Sequence, residues 1–328
     1  MDMSRAQNEW LLYLYAESPL HAGAADASGV IDLPIQREAG TGYPVVWGQS
    51  LKGALRQAAR DDDWDADTLR TVFGSDPPSG AAPGEGGADT AARTEVTAEQ
   101  GALTAGLLAV GDAQLVALPV PTLQHTFAWV TSDLALARLA RKYLALPEEM
   151  RPRIEPLERT LDGVALAAHT EWCGKGRDEV LGPLVVPLAE KPDAAVAAWA
   201  EQIARDGIGE DGVFKPFADK LKRDLLVVDD DVMPELNRDC TEVVARVQLN
   251  SGKTVEHGPF YSEYLPAETL LVASLTLRAS ELSELVVDEV RELLHGRQIQ
   301  IGGDETIGKG LVWCRLVGAG VENAVDAA

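Results

Sequence analysis

The sequence predicts an α+β fold, and three observations carry that prediction. Runs of strand length and strand composition stand near both ends, EWLLYLYAE at 9–17 and the two strands of QIQIGGDETIGKGLVWCRLV at 298–317. Helical periodicity sits beside each of them, in LKGALRQAARD after the first and SELVVDEVRELLHG before the last. Strands and helices are therefore mixed at both ends rather than segregated. Two ferredoxin-like βαββαβ modules, or one module with large insertions, fit this order.

The elements follow in turn. SPLHAGAADASG at 18–29 is a loop of small residues, and VIDLPIQRE continues it with Pro34, which is unsuited to a central strand. Ser50 stands at a cap position for the next helix, whose Leu51, Leu55 and Ala58 face inward. A second helix over roughly 66–73 ends at Gly74. Residues 75–100 are dominated by proline, glycine, serine and alanine and predict a mobile insertion. LLAVGDAQLVALPV and FAWVTS are strands, and DLALARLARKYLAL is an amphipathic helix with Arg138, Arg141 and Lys142 on its polar side. Residues 150–230 are the least regular part, with a short strand at 183–188 and helices near 193–206 and 214–223, and predict an inserted elaboration. TEVVARVQLN and TLLVASLTLRA are strands around a hairpin or loop, TVEHGPFYSEYLPAE. The core of a single 328-residue domain is thus expected from about 8–74, 101–146 and 241–317.

The charge is uneven. The chain carries 52 acidic against 29 basic residues, a net charge of -23. That balance alone argues against binding nucleic acid, which needs local positive potential. The acids come in blocks, however, at 61–67 and 229–231, and the bases cluster apart from them, at 52–60, 138–142 and 215–223. In the first cluster Lys52, Arg56 and Arg60 recur every fourth residue with no acid among them, a pattern that suits an anion. Gly53 within the same helix costs up to about 1 kcal/mol and predicts a close neighbour there. Three scattered cysteines without a CxxC pair exclude a disulfide framework and fit a reducing compartment. No signal-peptide pattern opens the chain and no apolar run approaches the roughly 20 residues of a membrane span, so a cytoplasmic protein with no membrane partner is expected.

Several motifs invite chemistry. GGDETIGKG has the GxxxxGK half of a phosphate-binding loop, but Gly310 replaces the Ser or Thr that follows, and a strand rather than a helix comes next. It reads better as a glycine turn that lets Gly302, Gly303 and Thr306 approach a ligand closely, with Lys309 adding charge. His21 can donate to phosphate, act as an acid–base group or serve as a loop hydrogen-bonding residue. Asp32 can close a turn, or hold a divalent cation and help activate a ribose hydroxyl. No second acid forms a DxD pattern with it, so a metal there would be shared with RNA phosphates. YSEY brings Tyr261, Glu263 and Tyr264 together, for stacking on bases or for core packing.

These segments in their order, SPLHAGA, GVIDLPIQREAGTGYPVVWGQSLKGALR, GDAQLVALPV, FAWVTS and the terminal glycine loop, resemble the RAMP superfamily. The match is nearest to the repeated backbone subunit of the type III-B CRISPR effector, the Cmr complex. The resemblance implies an RNA-recognition-like palm with insertions, including a thumb hairpin placed in 150–230 or 75–100. It implies copies of the chain stacked in a filament along one CRISPR RNA, with other Cmr-complex subunits at the ends. Ser50, Lys52, Arg56, Arg37, Gly302, Gly303, Thr306 and Lys309 would bind the guide. Asp32 would cut complementary target RNA at regular intervals, with a divalent cation, Mg2+ or Mn2+, at that carboxylate. His21, Glu263 and Tyr264 would stand beside it, and Ser262 would take the place of an acid found in relatives. The alternatives are a non-catalytic RNA-binding backbone subunit, a guide-processing endoribonuclease that relies on His21 without metal, and a small-molecule phosphate enzyme centred on Lys309.

Overall fold

A computed structural model describes residues 9–24, 30–75, 104–155, 157, 162–278 and 283–321 of the chain. The insertion expected at 75–100 lies outside these residues apart from Ser75.

Strand β1 (Glu9–Ala16) is the axis of the fold. Trp10, Leu12 and Leu14 point into one hydrophobic cluster and Leu11, Tyr13 and Tyr15 into a second. A strand covered on both faces needs no polar alternation, which is why EWLLYLYA reads as a continuous apolar run. It pairs antiparallel with β12 (Leu270–Leu277) on one side and with β14 (Leu311–Gly318) on the other. Next to β12 lies β4 (Ala113–Pro121), also antiparallel. The order β14-β1-β12-β4, with α1 (Gly48–Asp61) between β1 and β4 in the chain and α7 (Glu284–Leu294) between β12 and β14, is one βαββαβ module. Of the two arrangements the sequence allows, the single module with insertions is the one formed. Leu51 and Leu55 of α1 and Val290 and Leu293 of α7 all pack in the first cluster, so both helices cover one face of the sheet.

The rest of the sheet grows from the insertion between β4 and β12. Strands β5 (Phe127–Ser132), β9 (Leu225–Val228) and β6 (Leu166–Ala167) continue it beyond β4, with β5 and β9 parallel. Two short strands, β2 (Val45–Val46) and β3 (Leu108–Val110), attach to β4 and β12, and β13 (Arg297–Gln300) closes the far edge on β14. Helix α2 (Ala66–Phe73) ends at Gly74, as its sequence predicts. Helices α3 (Asp133–Tyr143), α4 (Ala194–Ile203) and α5 (Lys215–Asp224) contribute Leu139, Tyr143, Trp199, Ile203 and Leu221 to the second cluster and so cover the other face. A short helix, α6 (Met233–Asp239), leads out of β9.

Two expectations need correction. Within 150–230 the hairpin is β7 (Asp178–Leu181) with β8 (Leu184–Pro187), which tucks Leu181 and Val186 into the core. Among the described residues the longer hairpin is β10 (Glu242–Leu249) with β11 (Val255–Tyr264), two strands that form a sheet of their own. Val243, Val244, Val247, Leu249 and Val255 are all exposed on it, so the alternation in TEVVARVQLN does not mark a buried face. Second, Ser50 does not cap α1. The N-cap is Trp47, without a side-chain cap, and the Oδ1 of Asp112 accepts from Gly48 N at 2.7 Å instead. A carboxylate 64 residues away thus supplies the cap and favours the positive end of the helix dipole.

Candidate nucleic-acid interface

The segment carrying Asp32 is stitched to the base of the β10–β11 hairpin. Leu33 N donates to Tyr261 O at 3.0 Å, and Glu263 N donates to Leu33 O at 2.9 Å. Asp32 itself is exposed, and its Oδ2 accepts from Tyr261 N at 2.7 Å. Its other oxygen makes no hydrogen bond among the described residues. Pro34 explains why this stretch joins through isolated bridges rather than a full ladder.

Glu263, expected beside Asp32, is 2% exposed. Its carboxylate accepts from Ile35 N at 3.1 Å, Arg37 at 2.5 Å and Thr241 Oγ1 at 2.8 Å. Arg37 also donates to Gly42 O at 3.0 Å and Asn237 O at 3.1 Å, so its guanidinium is largely engaged inside the protein. Together they fix the Asp32 segment, the hairpin base and α6 against one another.

His21 is 9% exposed and its Nδ1 lies 2.7 Å from Glu263 O. A carbonyl only accepts, so Nδ1 is the donor in this contact. The His21 ring stands 5.5 Å from that of Tyr264, and Gly303 N donates to His21 O at 2.9 Å. A side chain at Gly302, whose φ is +80, would place its Cβ 2.2 Å from His21 O, so only glycine lets the two loops meet this closely. Tyr264 OH donates to Asp304 Oδ2 at 2.7 Å, and Lys309 Nζ sits 5.1 Å above the Tyr264 ring. Gly302, Gly303 and Thr306 are exposed beside them.

The sequence reading missed Asp304 and Arg246. Arg246 of β10 donates to both oxygens of Asp304 at 2.8 Å and so ties the hairpin to the glycine loop. Burial alone would raise the Asp304 pKa, but hydrogen bonds from Tyr264 and Arg246, with the Arg246 charge, outweigh it and hold it below the usual value. Asp304 was visible as the acid inside the glycine loop, but nothing local pairs it with an arginine 58 residues away.

Of the residues named on α1, Lys52 and Arg56 share one flank and Ser50 lies on the other. Ser50 faces the β13 side, where it lines a cavity of about 590 Å³ with Gln57, Arg297 and Gly302 and accepts from Gln36 Nε2 at 3.3 Å. Lys52 lies on the opposite flank and donates to Leu108 O of β3 at 2.8 Å. Arg56, one turn on, donates to Ser75 O at 3.2 Å. The expected close neighbour of Gly53 is absent among the described residues: nothing lies within 4 Å of where its Cβ would be.

No group of three or more potential metal ligands occurs among the described residues. The exposed carboxylate of Asp32 is a hard oxygen donor suited to Mg2+ or Mn2+, but it fits such an ion only if other ligands come from bound RNA. No described helix is long and apolar enough to cross a membrane.

The chain belongs to the RAMP superfamily, whose family model matches residues 13–313. It is 33% identical to the CRISPR system Cmr endoribonuclease Cmr4 of Pyrococcus furiosus, over 92% of this chain and 94% of the relative. It is 25% identical to the CRISPR system CMR subunit Cmr4 of Saccharolobus solfataricus, with the same coverage of each. Among solved structures, oligomeric Cmr4 from Pyrococcus furiosus superposes with a TM-score of 0.69 at 29% identity, covering 95% of this chain and 98% of that one. A type III-B Cmr-beta complex bound to cognate target RNA contains a chain of the same fold, with a TM-score of 0.63 at 22% identity, covering 94% of this chain and 96% of that one.

Proposed function

We propose that this chain is a CRISPR RNA-binding backbone subunit of a type III-B effector and that it cleaves target RNA held on the guide. The observation that carries the reading is Asp32: an exposed carboxylate with a free oxygen, fixed at the root of the β10–β11 hairpin in a chain similar to a Cmr endoribonuclease. The glycine loop and α1 would follow the guide backbone. Hairpin β10–β11 would act as the thumb, with the exposed Val243, Val247 and Tyr261 offering apolar surface on which a duplex can be parted.

Parting the duplex frees a target nucleotide to rotate its 2′-hydroxyl into line with the adjacent phosphorus. Asp32 orients that hydroxyl and accepts its proton. The new bond joins the 2′-oxygen to phosphorus, the bond to the 5′-oxygen breaks, and that oxygen takes a proton as it leaves. A divalent cation shared by Asp32 and RNA would supply charge neutralisation on the phosphate. His21, held through Nδ1, and the buried Tyr264 pack behind that site, while Glu263 positions the Asp32 segment.

The test replaces Asp32 with Asn, assembles the complex with guide RNA, and adds complementary target and Mg2+. Cutting should disappear while target binding is retained. Undiminished cutting at every interval would overturn the assignment. Omitting the cation should also stop cutting in the unmodified complex.

A further inference from the structure

The amide of Gln36 has its orientation set from both ends. Gln36 lies four residues beyond Asp32 and is 4% exposed. Its Oε1 accepts from Trp47 N at 2.8 Å, and its Nε2 donates to Gly23 O at 3.1 Å. A backbone N–H only donates and a carbonyl only accepts, so the amide cannot be turned over. The second proton of Nε2 therefore goes to Ser50 Oγ, at 3.3 Å. The backbone of Gln36 is held as well. Its N–H donates to Ala22 O at 2.7 Å, and its carbonyl accepts from Val45 N at 3.1 Å. Ser50 Oγ thus turns a lone pair inward, and its own proton has no acceptor among the described residues. Ser50 also lines the cavity of about 590 Å³ between α1 and β13, so that proton is left for whatever enters the cavity.

The charge of the cavity selects the kind of acceptor. Asp61, Asp62 and Glu305 line it against one cation, Arg297, which is already bound to Asp62. Three carboxylates to one paired guanidinium disfavour a phosphate, whereas a neutral hydroxyl meets no such repulsion. A contact that serves guides of any sequence goes to the backbone rather than to base edges. The ribose 2′-hydroxyl is the neutral acceptor of that backbone, and it can donate in turn to a carboxylate or an amide. Gly302 lines the same cavity with a φ of +80, so the chain opposite Ser50 carries no side chain to keep a sugar away. We propose that Gln36 is a positioning residue that holds the Ser50 hydroxyl as a donor to a ribose 2′-hydroxyl of the guide, a contact that tells RNA from DNA. This rests on the RNA-binding reading above and adds to it the positioning residue and the group recognised.

The experiment measures binding of two guides by the full-length chain, one all-ribose and one with 2′-fluoro sugars, which keep the RNA-like pucker but accept hydrogen bonds poorly. The proteins are the unmodified chain, Ser50→Ala, Gln36→Glu and the double variant. Ser50→Ala should weaken binding of the ribose guide about fivefold, the worth of one neutral hydrogen bond, and leave binding of the 2′-fluoro guide unchanged. Gln36→Glu still accepts from Trp47 N but takes the Ser50 proton instead of giving one. It should show the same fivefold loss with the ribose guide, and adding Ser50→Ala should cost nothing more. Melting temperatures are read alongside, and Gln36→Met, which fills the same space without a donor, takes the place of Gln36→Glu if that variant does not fold. Equal losses with both guides in Ser50→Ala would overturn the ribose and assign a phosphate. Additive losses in the double variant would mean that Gln36 acts on the fold rather than through Ser50, and would overturn its role. No loss in Ser50→Ala with either guide would overturn the contact while leaving the RNA-binding reading standing. Failure of the unmodified chain to bind the ribose guide would bring down that reading itself.

Discussion

Glu263 shows how one buried side chain can hold an exposed reactive one. Its carboxylate binds Ile35 N, Arg37 and Thr241, and through them the strand that presents Asp32. Glu263→Ala should therefore destabilise the protein by about 3 kcal/mol, because it leaves the Arg37 charge and an amide unpaired; urea unfolding checks this. Glu263→Gln keeps an acceptor for Ile35 N and should retain most of the stability and of the cleavage. A Glu263→Gln protein that folds normally yet has lost cleavage would mean that the carboxylate itself takes part in the reaction. The sequence brought Asp32, His21, Glu263 and Tyr264 to notice because each sits in a recognisable segment. It could not separate the exposed carboxylate from the buried one, since burial is decided by residues such as Arg37 and Thr241 whose partners lie far away in the chain. Arg246 and Asp304 were illegible for the same reason.

At the scale of elements, α1 carries the clearest lesson. Its position was legible from periodicity, but its start was not, because Asp112 provides the cap from a turn between β3 and β4. Its register was partly legible: Leu51 and Leu55 are buried as expected, but Ala59 rather than Ala58 completes the buried face. The two glycines of this helix have opposite meanings. A Cβ on Gly48 would come within 2.4 Å of Val110 O, so Gly48→Ala should force the helix off β3 and cost stability. Gly53 meets nothing within 4 Å, so Gly53→Ala should stabilise the free chain by about 0.5–1 kcal/mol, read from its unfolding midpoint. A stabilised Gly53→Ala variant that binds guide RNA less well would place the RNA against this turn of α1. A destabilised one would contradict the open surface described here.

At the scale of the whole molecule, the two ends of the chain build one palm and the middle extends its sheet. The palm was legible because its strands and helices alternate in strong local patterns, whereas the extension through β5, β9 and β6 depends on pairings across scores of residues. LLVV at 225–228, too short and apolar to tell from a helix end, became a central strand only by tertiary contact. The closure of the palm makes a pH prediction. His295 follows α7 and its Nδ1 accepts from Leu316 N at 3.2 Å, joining that helix to β14. Burial, then the Arg315 charge, lowers its pKa below the usual 6.5, with the charge of Asp211 acting the other way. The folded protein thus holds His295 neutral where the unfolded chain takes up a proton, so stability rises with pH across that interval. This contribution is complete above about 6.5 and is lost as pH falls from there through the folded value. Most carboxylates remain ionised in that window, so their loss does not mask it. The urea midpoint of the unmodified protein should fall between pH 7.5 and 5.5, and His295→Gln, which keeps an acceptor for Leu316 N but cannot titrate, should fall less. Equal falls in the two proteins would remove His295 as the cause.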